Sequence, residues 1–377
     1  MKGWSPMKRK TRREFMVSAT RWGLNLAILS MIPSTGCSHA QTAKAELPVT
    51  DNPLTLMQMA QQKRHHGKDR FINPFAPQGK KGFSDFLKWK LFSENHFKEQ
   101  YADEPVNPVK IDWKPVMTHD GLSVTYINHA SVLIRDAGVS ILVDPVFFGL
   151  FPIFTNFTPL EFDIDTMPKP DHVLITHGHY DHLDKDTLSV IDPDTHVITP
   201  LGYDSVFSSM GMKNRTKLDW FNAFDDGTRR IMLLPCNHWT MRNPIMGPNR
   251  NLWGSYLITT ASGPTIFISG DTAYFKGFKE IGDRYDIDLA ILSVGAYEPR
   301  WFMKQSHMNP VEAVQAVKDL KAKRMFIVHW GTFRLGDEPV HVPPLDMRLE
   351  LDMRLELQKA NMAERLLNIK HGDTLYF

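Results

Sequence analysis

The 377-residue chain has only two cysteines, Cys37 and Cys236, which excludes a small scaffold built on disulfides. It lacks a long apolar run: the stretch 22–32 is 11 residues, short of the roughly 20 that a membrane-crossing helix needs. It also lacks charge of one sign, with 44 Lys and Arg against 42 Asp and Glu, a balance of +2. With 42% hydrophobic and 23% charged residues it is neither collagen-like nor disordered. The length allows one large α/β domain or two smaller ones.

What basic excess exists crowds the start. Residues 1–36 hold Lys2, Lys8, Arg9, Lys10, Arg12, Arg13 and Arg21 against the single acid Glu14. Thr11-Arg12-Arg13-Glu14-Phe15-Met16 resembles the twin-arginine export pattern, and the short apolar run follows it. Ser34-Thr35-Gly36-Cys37 resembles a bacterial lipobox, which makes Cys37 the lipidated mature N-terminus; cleavage after Ala40 is the rival reading. Residues 1–36 are thus expected to be a signal peptide, and the mature protein periplasmic or lipid-anchored to a bacterial membrane. Without them the basic count falls to 37 and the acidic to 41, a balance of −4. Cys37, lipidated or removed, leaves Cys236 as a single thiol, an apolar filler near His238.

Residues 37–62 are polar and are expected to form a flexible tether. Residues 63–112 interleave Phe71, Phe75, Phe83, Phe86, Leu87, Trp89, Leu91 and Phe92 with Lys80, Lys81, Lys88 and Lys90. On a helix from 84 onward, Phe83, Phe86, Leu87 and Leu91 share a face, to be packed on the protein body or laid against lipid. From 113 to 377 strands alternate with helices. Strands are expected at 122–126, 131–135, 139–143, 172–176, 230–234, 255–260, 265–269, 289–293 and 325–328, and helices at 185–191, 201–210, 275–281 and 311–321. The last has Asn309 as cap, Pro310 at the first position, Glu312 three residues on, and Val311, Val314, Val317 and Leu320 at apolar spacing. Residues 345–350, Leu-Asp-Met-Arg-Leu-Glu, recur unchanged at 351–356, a local duplication that lengthens a surface helix.

The chemistry concentrates in His177-Gly178-His179-Tyr180-Asp181-His182-Leu183-Asp184, four ligand-type residues within six positions after an apolar strand. Imidazole and carboxylate suit zinc and similar divalent metals. His238, Asp271 and His329 each follow a further apolar strand, so one loop cluster can gather all seven.

The His-x-His-x-Asp-His run, the later histidine, Gly270-Asp271-Thr272 and His329 resemble the metallo-β-lactamase fold superfamily. The stretches 295–304 and 329–333, with Asn128-His129-Ala130 and 142–145, resemble its N-acyl-phosphatidylethanolamine-hydrolysing phospholipase D branch. The resemblance implies an α/β fold of four layers, two mixed β-sheets sandwiched between helices. It implies two Zn2+ per chain, with His177, His179 and His238 on one, Asp181, His182 and His329 on the other, and Asp271 bridging. Asp181, Asp271 and His307 are the candidate catalytic residues. Asp144 and Asp184 are expected to orient ligand histidines. His129, Tyr297, Arg300, Trp301 and Phe302 are candidate substrate contacts, although the aromatic string could equally anchor its own loop.

The expected activity is phospholipase D-type hydrolysis of ethanolamine phospholipids, plain or N-acylated, by hydroxide generated between the two metals. The expected partners are a phospholipid and a membrane surface; a homodimer is left open. Another hydrolase of the fold, acting on a lactone, a cyclic phosphodiester or nucleic acid, is the first alternative, with nucleic acid disfavoured by the lack of a basic stripe in the catalytic region. A non-catalytic metal-dependent binding lipoprotein is the second.

Overall fold

The computed structural model describes residues 54–75, 83–353 and 362–377. The expected signal, Cys37, the first part of the tether and residues 354–356 of the duplication lie outside the described residues.

Among the described residues thirteen strands form two sheets. They are β1 (Ser123–Asn128), β2 (Ser131–Asp136), β3 (Val139–Val143), β4 (His172–Leu174), β5 (His196–Pro200), β6 (Arg215–Leu218), β7 (Ala223–Asp225), β8 (Arg230–Leu234), β9 (Ser255–Thr259), β10 (Thr265–Ile268), β11 (Leu289–Ser293), β12 (Arg324–Val328) and β13 (Thr374–Tyr376). One sheet runs β13-β1-β2-β3-β4-β5-β6, the other β12-β11-β10-β9-β8-β7. Both are mixed. Strands β3 to β6 are parallel, as are β10 to β12, while β1-β2-β3 and β8-β9-β10 are antiparallel meanders.

The period-two alternation of side chains sorts the core into three layers. In β11, Leu289 and Ile291 face the other sheet, among Tyr126, Val143, Ile198, Ile258 and Phe326. Ala290 and Leu292 face outward, onto Val314 and Val317 of the helix Pro310–Leu320 and Phe278 and Ile281 of the helix Gly277–Arg284. On the outer side of the first sheet, Leu133, Leu142, Val173 and Val197 pack under Trp113, Val116, Leu188 and Phe207. This is the expected four-layered α/β fold. The strands buried on both faces are near-continuous apolar runs, which is why they were legible.

The capping box forms as written: Asn309 Oδ1 accepts from the Glu312 amide at 3.0 Å, and Glu312 Oε2 accepts from the Asn309 amide at 3.3 Å. Val311, however, faces solvent; Ala313, Val314, Ala316, Val317 and Leu320 form the buried face. The helix Pro343–Met353 spans the first copy of the duplicated hexapeptide and enters the second, with Met347 buried.

The tether ends earlier than expected. Leu56–Gln61 is a helix with a Thr55/Gln58 capping box, because Leu56 and Ala60 have core sites to fill. Residues 63–75 and 83–112 are equally part of the body: His65 is fully buried and stacks on Trp220 at 4.1 Å. The helix Phe83–Phe92 turns a different face inward from that expected. Phe86 and Trp89 are buried against Phe302 and Met303, while Leu87, Leu91 and Phe92 point out. Trp89 dictates this face, since its Nε1 donates to Asp337 Oδ2 at 2.9 Å. Among the described residues no helix is long and apolar enough to cross a membrane.

Candidate metal centre

Every candidate ligand lies just past the carboxyl end of a strand on one edge of the two sheets. Asp144 follows β3, the 176–184 loop follows β4, His238 lies beyond β8, Asp271 beyond β10, and His329 directly after β12. His129, Asp144 and His329 adopt left-handed backbone conformations, with φ of 44, 42 and 70°. Such turns cost about 1–3 kcal/mol each and are held only where the surroundings over-determine them. Gly270 joins them at φ 56°, and a Cβ there would stand 2.9 Å from that of Thr176.

Two groups of donors result. His177 Nε2 lies 2.9 Å from His179 Nδ1, and His238 Nε2 lies 3.4 Å from that same nitrogen. Asp181 Oδ2 lies 3.0 Å from His129 Nε2, 3.2 Å from His329 Nε2 and 3.5 Å from His182 Nε2. Between them stands Asp271, whose Oδ2 is 3.2 Å from His329 Nε2, 3.3 Å from His182 Nε2, 3.9 Å from His177 Nε2 and 4.0 Å from His238 Nε2. The sequence-assigned trios are therefore both assembled, with Asp271 at their junction.

These residues fit divalent metal. The 2.9 and 3.4 Å separations bracket the roughly 3.3 Å edge of a tetrahedron with metal–nitrogen bonds near 2.0–2.1 Å. His182 Nε2 and Asp271 Oδ1 are buried and make no hydrogen bond, a costly state that a cation would relieve. Burial holds His238 down to about 3 and His179 down to about 4, leaving neutral imidazoles with a free lone pair. Burial alone would raise Asp271, but His182 and His329 outweigh it and hold the carboxylate well below its usual range.

Ring orientation comes from outside the two sets. Asp144 Oδ2 lies 2.8 Å from His182 Nδ1, and its two oxygens accept from the Thr176 amide and hydroxyl at 2.8 and 2.6 Å. The Ser306 carbonyl accepts from His238 Nδ1 at 3.0 Å. His307 approaches from the same loop, its Nδ1 3.8 Å from Asp271 Oδ2 and its side chain 15% exposed, against 1% or less for His177, His182, His238 and His329.

Asp184 and His129 depart from expectation, and Tyr297, Phe302 and Arg300 take the loop-anchoring role rather than that of substrate contacts. Asp184 orients no histidine; it caps the helix Lys185–Leu188, accepting from the amides of Asp186 and Thr187. His129, expected at the substrate, is fully buried behind Asp181 and beside His329. Tyr297 is buried with its hydroxyl donating to Asp346 at 2.7 Å, and Phe302 is buried on Trp89, so both anchor their loop. Arg300 is an internal clamp: it donates to the carbonyls of Tyr297 and His307 at 3.2 and 3.1 Å and to Glu312 at 2.8 Å. Of that string only Trp301 presents much surface. Cys236 is buried, its Sγ 3.6 Å from the Asp271 carbonyl oxygen, as befits a filler. Thr176 and Ser306 were not foreseen, since nothing in their local sequence marks a contact made across the fold.

The profile of the Beta-lactamase superfamily domain matches residues 140–330. The chain is 30% identical over 344 residues to the N-acyl-phosphatidylethanolamine-hydrolyzing phospholipase D 1 of Caenorhabditis elegans, covering 84% of this chain and 96% of that one. It is 36% identical over 214 residues to the mitochondrial N-acyl-phosphatidylethanolamine-hydrolyzing phospholipase D of Saccharomyces cerevisiae, covering 53% and 46%. Among solved structures, the isothiocyanate hydrolase from Delia radicum gut bacteria shares the fold with a TM-score of 0.53 at 19% identity, over 68% of this chain and 99% of that one. The chain belongs to the metallo-β-lactamase fold superfamily, in its N-acyl-phosphatidylethanolamine-hydrolysing phospholipase D-like branch. It is a metal-dependent hydrolase of that fold.

Proposed function

We propose that the chain is a binuclear zinc phosphodiesterase that cleaves ethanolamine phospholipids, plain or N-acylated, in the manner of a phospholipase D. The observation that carries this reading is the junction at Asp271, where two ligand trios and the partly exposed His307 meet. The names of the two relatives support the substrate class.

In this reading His177, His179 and His238 hold one zinc, Asp181, His182 and His329 the second, and Asp271 both. Bound there, zinc would supply Lewis acidity and lower the pKa of a water to near 7. The chain's own groups do the rest. Asp144 and the Ser306 carbonyl fix the rings of His182 and His238, so neither spends binding energy on orientation. Water oxygen attacks phosphorus and the bond to the ethanolamine oxygen breaks, leaving phosphatidic acid. The attacking water loses a proton as the alkoxide departs, and His307, a neutral imidazole because burial holds it down to about 3, is placed beside Asp271 to take up that proton and pass it to the leaving oxygen.

A lipid substrate also accounts for the apolar side chains offered to solvent by the loops leaving this edge. Phe148 and Ile153 follow β3, Ile245 and Met246 follow β8, and Trp301 follows β11. Leu91 and Phe92, 67 and 80% exposed, continue the set beside Lys88 and Lys90. Apolar tips flanked by lysine suit the boundary between acyl chains and headgroups. Export by the twin-arginine route and lipidation at Cys37 would place the enzyme at such a surface. Cys37→Ala should then shift it from the membrane to the soluble fraction, and continued membrane attachment would refute lipidation as the anchor.

The deciding experiment incubates the zinc-loaded protein with mixed phospholipid vesicles and follows the products by mass spectrometry. Phosphatidic acid should appear with wild type and vanish with Asp271→Asn. Its absence with wild type would refute the assignment.

A further inference from the structure

The N-terminal segment from His65 to Phe75 lies outside the 140–330 stretch matched by the superfamily profile, yet it reaches the candidate metal centre. It is pinned at its start. His65 Nε2 and His66 Nε2 lie 2.6 and 2.9 Å from the two oxygens of Asp219, Lys63 reaches the second at 2.5 Å, and His65 stacks on Trp220. The segment then turns back on itself, with the Ile72 amide donating to the His65 carbonyl at 2.9 Å. It ends with Phe75 against Phe275 at 4.8 Å.

Between these anchors it grips the loop after β8 twice. Asn73 Nδ2 donates to the His238 carbonyl at 2.8 Å and to Asn237 Oδ1 at 2.9 Å. Asn73 Oδ1 accepts from the Phe75 amide at 2.9 Å, so the side chain cannot swing away without losing its own turn. Two residues earlier, the Phe71 amide donates to the Asn249 carbonyl at 2.7 Å. Asn249 holds Thr240 from both sides, its amide on the Thr240 carbonyl at 2.7 Å and its Oδ1 on the Thr240 amide at 3.1 Å. Thr240 Oγ1 in turn accepts from the Gly178 amide at 2.9 Å, between His177 and His179. His238 is thus tied to this segment directly, and Gly178, between His177 and His179, through Thr240 and Asn249.

We infer that Asn73 is a positioning residue for the His177, His179 and His238 metal set, and that the N-terminal segment completes that half of the centre. The inference rests on this trio holding a metal. The Ser306 carbonyl aims the His238 ring, but a ring aimed by Nδ1 still moves with its backbone. Asn73 fixes that backbone at the carbonyl of the ligand residue itself. Outer contacts of this kind change metal affinity about 10–100-fold when removed.

Asn73→Asp keeps the acceptor for the Phe75 amide and removes both donors, which separates the turn from the grip. The full-length chain, stripped of metal, is titrated with cobalt(II), read by calorimetry and by the visible d–d spectrum. The wild type should take up cobalt. The variant should bind it at one site about 10-fold or more weakly, with a changed d–d spectrum and an unchanged circular dichroism spectrum. Equal affinity and spectrum would overturn the inference, because a merely structural asparagine shifts the melting temperature and not the ligand field. If Asn73→Asp is unfolded at the assay temperature, Asn73→Ser is titrated in its place under the same criterion. Failure of the wild type to bind cobalt would overturn the metal trio itself, a result distinct from wild-type binding that the variant matches.

Discussion

His182 Nδ1 sits 2.8 Å from Asp144 Oδ2, and neither side chain reaches solvent. The contact turns Nε2 of the same ring toward Asp181 and Asp271. Asp144→Asn keeps the volume but puts an amide where the acceptor was. Metal affinity of the Asp181, His182 and His329 set should fall about 10–100-fold with the fold intact. Zinc titration of the metal-free variant checks this, and wild-type affinity would show that Asp144 does not orient the ring.

Arg300 joins three elements through one guanidinium: the Tyr297 carbonyl, the His307 carbonyl and Glu312 of the helix cap. A lysine offers a point charge in place of that fork. Arg300→Lys should lower turnover about 10-fold or more, by loosening the loop that carries Ser306 and His307, while the amount of metal bound stays that of the wild type. Steady-state kinetics beside metal analysis tests it; undiminished turnover would leave Arg300 an internal clamp without effect on the site.

The helix Phe83–Phe92 separates packing from exposure within four residues. Trp89→Ala should cost about 3–5 kcal/mol, the usual loss for a buried aromatic, read by urea denaturation. Leu91→Ser with Phe92→Ser should leave stability within about 0.5 kcal/mol, since both face solvent. The double variant should bind phospholipid vesicles more weakly and hydrolyse a soluble diester at the wild-type rate. Equal loss in both assays would argue against a lipid-facing role.

Glu338 is buried and accepts from the Tyr297 and Glu298 amides at 3.1 and 3.0 Å. Burial nevertheless pushes its carboxyl up to about 7 from the ordinary 4.5. A carboxyl with a raised folded value binds its proton more tightly folded than unfolded. Its contribution is therefore most favourable below pH 4.5 and is lost as pH rises toward 7, by about 3 kcal/mol. The stability of Glu338→Gln relative to wild type should improve over that interval. Parallel denaturation curves at several pH values would show it, and a constant difference would refute it.

The double-sided strands and the contiguous His-x-His-x-Asp-His run were legible because each is a local signal. Strands β5, β6, β7 and β13 were not. Arg215-Thr-Lys-Leu and Thr374-Leu-Tyr are short and half polar, and become strands only by pairing with β5 and β1. That the candidate ligands converge could be read because each lies in a loop that follows an apolar strand, whereas Asp184 shows that a helix cap and a ligand-orienting carboxylate look alike beside histidines. The aromatic and arginine string at 297–302 was ambiguous for a similar reason: composition marks a loop as important without saying which way it faces. Asn73 was invisible, since its partners lie 164 and 165 residues away.

Within the first copy of the duplicated hexapeptide the helix Pro343–Met353 buries Met347, and Asp346 accepts from the Tyr297 hydroxyl at 2.7 Å. Asp346 thus couples this C-terminal helix to the segment that leads from Tyr297 to Ser306 and His307, and a change in helix length made beyond Asp346 leaves that tie to the site in place.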